Sequence, residues 1–209
     1  MALNGISFNV SEGEIYGIIG SNGAGKSTLL NVLAGVLPPS NGFYKIKGEL
    51  DSLRSLGAGF DSELNAIENI YLYCSLRGRK KDDITKHIPK ILEFAELEKF
   101  ATTPIKYYSS GMYARLGFSV ALDQKPDVLL VDEVLAVGDD RFQKKCSDVF
   151  KEYLKTGKTV IIVSHDMATL QNLCTKAAVL ANGKLVFEGD PKEAIDYYRQ
   201  ENYETRLTS

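Results

Sequence analysis

Several things are scarce in this sequence. Its 209 residues include only two His and three Cys, and no Gln occurs before Gln124. Cys74, Cys146 and Cys174 are odd in number and widely scattered, which fits neither a disulfide framework nor a metal-ligand spacing. They read as reduced thiols in or near a core. No strongly apolar run exceeds strand length. Val128-Leu129-Leu130-Val131 and Val160-Ile161-Ile162-Val163 fall far short of the ~20 apolar residues a membrane helix needs, so no membrane insertion is expected. No basic-then-apolar leader opens the sequence, and a cytoplasmic location is the expectation. Neither charge is in surplus: 25 Lys+Arg stand against 27 Asp+Glu, a formal net charge of −2. Bulk electrostatics therefore give no reason to expect a nucleic-acid partner. There is no internal repeat and no low-complexity segment.

What is present is ordinary in amount and informative in order. Hydrophobic residues make up 44% and charged residues 25%, the balance of a globular domain. Apolar runs bounded by Gly, Asn and Pro alternate with helix-like patterns, the rhythm of an α/β fold. A strand is expected over Glu14–Ile19, a helix from Lys26 to Ala34, and a further strand over Phe43–Lys47 after the turn at Pro38–Gly42. Phe8 reads as part of a strand. Ile84, Ile88, Ile91, Leu92 and Ala95 recur at helical spacing, and Pro89 should start or kink that helix. Asp127–Asp132 and Thr159–Ser164 look like buried parallel strands. Ala177–Leu180 and Lys184–Phe187 flank Asn182-Gly183, a strong hairpin signal. Asp190 then N-caps a last helix over Lys192–Arg199, with Pro191 at its first position. His87 is expected on a helix surface, Arg77–Lys81 in a solvated turn, and Tyr107-Tyr108 in packing.

Three segments carry chemistry. Gly20-Ser21-Asn22-Gly23-Ala24-Gly25-Lys26-Ser27 matches GxxxxGK[ST] between an expected strand and helix, and Thr28 follows it. Glycines let backbone wrap around phosphates, Lys26 reaches the outer ones, and the Ser27 hydroxyl suits Mg²⁺. The bland alternative is a chance Gly-rich turn. Asp132 and Glu133 end an apolar strand; Asp132 suits the Mg²⁺ shell, and Glu133 the attacking water. A solvated acidic turn is the alternative there. His165, in Ser164-His165-Asp166, follows the next apolar strand, where it can hydrogen-bond a γ-phosphate. Tyr108-Ser109-Ser110-Gly111-Met112 precedes a helix-like stretch, Tyr113–Leu122. Alone it is a small-residue helix start.

Taken in chain order, with Tyr108–Met112 between the phosphate loop and the acidic strand, the segments resemble the ABC ATPases, whose LSGGQ-like motif occupies that place. The resemblance implies a P-loop NTPase fold with a mainly parallel sheet core, a helical subdomain inserted over about 70–125 and a small antiparallel β part. It implies that ATP and Mg²⁺ are bound, with Ser109, Ser110 and Gly111 contacting the ATP of the opposite subunit in a homodimer. A membrane-spanning permease is the other implied partner, which puts the chain at the cytoplasmic face of the membrane. The finer resemblance is to ATPases exporting bacterial O-antigen, capsule and teichoic acid. It rests on Tyr108–Met112, on Asp132-Glu133-Val134-Leu135-Ala136-Val137-Gly138-Asp139, and on Leu56-Gly57-Ala58-Gly59-Phe60 with Glu68-Asn69-Ile70. Three departures accompany it. No adenine-stacking aromatic precedes Met1. Asp61 stands near the usual Mg²⁺-contacting Gln, either serving the ion through water or lying in a solvated loop. No carbohydrate-binding domain is expected after the last helix. The rival expectations are an interaction module with weak ATPase and a non-transport ABC ATPase.

Overall fold

Ile15-Tyr16-Gly17-Ile18-Ile19 forms the first strand, β1 (Ile15–Ile19), and all five residues are buried. A run apolar on both faces needs cover on both faces, which a parallel sheet lined by helices supplies. The computed structural model describes residues 2–53, 57–132 and 139–207. These fall into two units.

The first unit is built on a sheet. After β1 come helix α1 (Lys26–Leu33) and a short strand, β2 (Leu50–Ser52). Later in the chain follow β3 (Val128–Asp132), β4 (Thr159–Val163), β5 (Lys176–Ala181) and β6 (Lys184–Gly189). Their order is β2-β3-β4-β1-β5-β6, with only the β5–β6 pair antiparallel. The Asn182-Gly183 turn between them has φ of 48° and 75°, the positive pair a tight primed hairpin turn requires. Tyr16, Ile18, Leu130, Val163 and Ala178 from the strands pack with Leu29, Leu30 and Leu33 of α1. At the opposite end of the strands from the chemistry, Asp127 accepts from the Glu49 amide at 2.9 Å and pairs with Lys158 at 2.6 Å. Its carboxyl is held below the ordinary range by the Lys158 ammonium and then by that amide. The last helices are α6 (Met167–Leu173) and α7 (Pro191–Leu207), the latter running beyond the expected Arg199. Asp190 takes the Lys192 amide at 2.8 Å, as its N-cap role predicts.

The second unit is helical. α2 (Ala66–Leu76) opens with a capping box in which Asn65 and Glu68 satisfy each other's amides. α3 (Lys81–Ala95) buries the five residues whose period announced it, and α4 (Ser110–Asp123) follows two short 3₁₀ turns. Helix α5 (Asp140–Lys155) starts among residues of this unit, where Phe142 is fully buried against Phe94 and Phe118.

Several expectations change. Phe43–Lys47 is not a strand: it pairs with none of the described strands, and Phe43 is 92% exposed. Phe8 belongs to no strand either; its ring stacks on Tyr16 at 5.4 Å. Pro89 does not start α3 but sits inside it. It lies on the exposed face, where water meets the Thr85 carbonyl that the ring deprives of its partner. His87 lies partly exposed on α3, as expected, whereas Arg79 is not simply solvated. His87 Nδ1 lies 2.9 Å from Asp123, and Arg79 bridges Asp123 and Asp83 at 2.7 Å each. Tyr107 is 70% exposed rather than packed.

The thiols behave as their scatter suggested: Cys74 and Cys146 are buried and Cys174 is half-buried. Burial pushes Cys146 and Cys174 up to about 12 and raises Cys74 as well. The thiolate is the reactive form, so a disulfide-exchange reagent at pH 8 should leave the native chain unlabelled and titrate all three thiols in denaturant. Because the fold favours the neutral thiol, this contribution to stability is complete below pH 9 and is lost as pH climbs towards about 12.

Candidate functional site

The sheet register brings the candidate residues to one edge. Asp132, the last residue of β3, pairs with Val163, the last of β4, and Val163 pairs with Ile18 of β1. Two residues beyond Ile18, just past the end of β1, lies Gly20, and two beyond Val163 lies His165. The phosphate-loop segment, a half-buried carboxylate and an exposed imidazole therefore share the carboxyl ends of three adjacent parallel strands. That edge is where open α/β sheets bind ligands.

The Gly20–Ser27 loop is held from several sides. Lys26 is 8% exposed, and its ammonium donates to the carbonyl oxygens of Gly20 at 2.7 Å and Ser21 at 3.0 Å. The cation is thus fixed inside the curve of the loop, with a third N–H in its inventory. Gly25, with φ of 108°, is the N-cap of α1 and supplies no side chain to the helix's first amides. No acidic side chain stands in that first turn either. The amides of Lys26, Ser27 and Thr28 have no intrahelical acceptor by helix geometry, and the positive end of the helix faces the loop. This donor set fits an anion carrying several oxygens. Ser27 and Asp132 add a hydroxyl and a carboxylate, hard oxygen ligands of the kind Mg²⁺ takes.

His165 is placed by its neighbours. The Ser164 amide donates to the Ile18 carbonyl at 3.3 Å, and the Ser164 hydroxyl accepts from the Asp166 amide at 3.0 Å. Asp166 caps α6, accepting from the amides of Ala168 at 3.0 Å and Thr169 at 3.4 Å and from the Thr169 hydroxyl. That hydroxyl contributes most to lowering its carboxyl below the ordinary value. Asp166 went unrecognised in the sequence, although an Asp before a short apolar helix is a capping signal.

Ser109, Ser110, Gly111 and Asp61 belong to the helical unit. Ser109 is the N-cap of α4, its oxygen accepting from the Met112 amide at 3.2 Å, and both Ser109 and Ser110 are exposed. The hydroxyl proton of Ser109 remains as a donor beside that acceptor role. Asp61 uses Oδ1 inside its own turn, accepting from the Glu63 amide at 2.9 Å. Its backbone is tied to the fully buried Asn69, which accepts from the Asp61 amide at 2.7 Å and donates to the carbonyls of Asp61, Leu64 and Asn65. Among the described residues no cluster of three His, Cys, Asp or Glu forms a metal site. Glu133 lies outside the described residues, as do Val134–Gly138 and Leu56.

Comparison with known proteins agrees with this geometry. The family pattern described as ABC transporter matches residues 3–136. The chain is 46% identical over 197 residues to the teichoic acids export ATP-binding protein TagH of Bacillus anthracis, covering 94% of this chain and 36% of that protein. It is 43% identical over 200 residues to the O-antigen export system ATP-binding protein RfbB of Klebsiella pneumoniae, covering 96% and 81%. It thus spans about a third of the first relative and most of the second. Among solved structures, a dimeric ATP-binding cassette in a post-hydrolysis state bound to ADP and Pi superposes with a TM-score of 0.78 at 25% identity. That match covers 91% of this chain and 90% of the other. An ATP-binding subunit of an ABC transporter shares the fold with a TM-score of 0.86 at 22% identity, over 96% and 92%.

The capping role of Asp166 is open to measurement. Replacing it with Ala should destabilise the chain by about 1 kcal/mol at neutral pH, read by urea unfolding. Its lowered carboxyl stabilises the fold above the ordinary value of 3.8 and ceases to do so as pH falls below it. The difference between the two proteins should therefore shrink at pH 3.

Proposed function

Since the chain belongs to the ABC transporter family, we propose that it is the ATP-hydrolysing subunit of an exporter of a lipid-linked surface polysaccharide or teichoic acid. The observation that carries the catalytic half of this reading is the register placing the Lys26 loop, Asp132 and His165 at one strand edge. The cargo half rests on likeness to O-antigen and teichoic acid export proteins.

In this reading the loop binds the ATP phosphates. Lys26 offers its ammonium and residues 26–28 their amides, all oriented before the anion arrives, so little reorganisation is needed on binding. Magnesium, when bound with ATP, neutralises charge on the phosphoryl group in transfer; Ser27 and Asp132 are the residues to hold it. Glu133 orients the attacking water and takes its proton, and His165 donates a hydrogen bond to the terminal phosphate. Two copies assemble head to tail, so that the exposed Ser109 hydroxyl and the amides around Gly111 meet the ATP held by the partner. The positive end of α4 favours that contact. ATP then bridges the two copies, and hydrolysis releases them. The segment around Gly59–Asp61, tied to Asn69, passes this motion to a separate membrane-spanning subunit, which keeps the chain at the cytoplasmic face. No described helix is long and apolar enough to cross a membrane by itself. Phe8 is already engaged with Tyr16 and is not the aromatic to stack on the base.

The test is Glu133→Gln. This variant should bind nucleotide as the parent does, lose turnover by at least ~100-fold, and accumulate as a dimer in Mg²⁺ and ATP on size-exclusion chromatography. Normal turnover would remove Glu133 as the base.

A further inference from the structure

The turn between β5 and β6 lies outside every motif that marks the nucleotide site, yet it touches the phosphate loop directly. The Gly183 amide donates to the carbonyl of Ala24, in the middle of the loop, at 3.0 Å. The Gly183 carbonyl accepts from the Asn4 amide at 2.7 Å. The chain just ahead of Asn4 is wedged between loop and turn. A Cβ on Gly25 would stand 2.6 Å from the Ala2 carbonyl oxygen, and one on Gly183 would stand 2.7 Å from the same atom. Three backbone segments therefore meet at van der Waals distance, with two glycines on either side of one carbonyl.

We propose that Gly183 is a positioning residue for nucleotide binding: it clamps the phosphate loop through Ala24 and holds residues 2–4 against the loop's outer side. The inference rests on the nucleotide-binding reading above and extends it to a residue that none of the site's motifs includes. Its physical basis is the bond inventory of the loop. The Ala24 amide closes the loop on the Ser21 carbonyl at 3.2 Å; amides kept for the anion cannot be spent this way, so further support has to come through the loop's carbonyls. Lys26 takes the Gly20 and Ser21 carbonyls from within. Gly183 takes the Ala24 carbonyl from without, and it does so from a hairpin whose register with β1 is fixed by the sheet. Only glycine suits the position. Its φ is 75°, and a side chain there would have to displace Ala2.

The experiment compares the purified chain with Gly183→Ala and Asn182→Gly, using equilibrium titration with a fluorescent ATP analogue and thermal unfolding. Gly183→Ala should weaken nucleotide binding by about five- to tenfold, the order expected for one hydrogen bond lost plus a displaced segment. Asn182→Gly keeps the turn and the clamp and should bind as the parent does. On the unaltered chain, hydrogen exchange adds a readout that needs no variant. Binding and clamp are reciprocally linked, so nucleotide should slow exchange of the Gly183 amide. A folded Gly183→Ala chain that binds with unchanged affinity overturns the inference, as does a Gly183 amide indifferent to nucleotide. If the unaltered chain takes up no nucleotide, the parent reading falls and this one with it.

Discussion

A loop that grips an anion has to keep amide hydrogens available for it, and the organisation of the sheet unit follows from that constraint. An unpaired amide in an ordinary buried turn is costly. In this loop the Ala24 amide is taken by the Ser21 carbonyl at 3.2 Å, and the helix that follows offers its first amides no acceptor within its own turns. The loop is kept in shape through its carbonyls. Lys26 binds those of Gly20 and Ser21 from inside the curve, and the Gly183 amide binds that of Ala24 from outside. Its backbone conformation depends on glycine, and Gly25 adopts a φ that side-chain-bearing residues rarely do. The buried sheet supplies the rigidity: β1 and β4 are buried over all ten of their residues.

From this edge the rest of the site acquires its logic. Parallel pairing of β1, β3 and β4 is what makes residues far apart in sequence neighbours in space. Antiparallel pairing would have sent their carboxyl ends in opposite directions. Asp132 and His165 need no special loop to approach the phosphate loop, since each ends or follows a strand already in register with it. The helical unit is organised on other terms. Its polar hub, Asn69, gives its amide donors to the carbonyls of Asp61, Leu64 and Asn65 and accepts from the Asp61 amide. The Ser109 end of α4 is exposed.

How much of this was legible in the sequence depends on how local each signal is. The phosphate loop, the apolar strands and the Asn182-Gly183 hairpin were readable because glycine spacing and period-two or period-3.6 patterns act over a few residues. The same local reasoning placed a strand at Phe43–Lys47. It failed there because a strand exists only with a partner, and pairing is a long-range fact the segment itself does not encode. At Pro89 the expectation of a helix start did not hold. The local rule against proline was overridden by a helix that buries Ile84, Ile88, Ile91 and Leu92 while leaving Pro89 on its wet side. Arg79 read as part of a solvated turn because Asp123, which draws it in, lies far along the chain in α4. The meeting of Gly183 with Ala24 was illegible for the same reason: a hairpin turn announces its own geometry, not what it leans on.

The central claim is that the Lys26 loop is a nucleotide-phosphate site, and calorimetric titration of Mg²⁺ and ATP onto the purified chain and its Lys26→Ala variant tests it most directly. The account predicts saturable one-to-one binding to the parent chain and affinity at least ~10-fold weaker in the variant, the loss of a charge-assisted hydrogen bond at a fixed position. Equal affinity in the two proteins, or no binding to a folded parent chain, would contradict it.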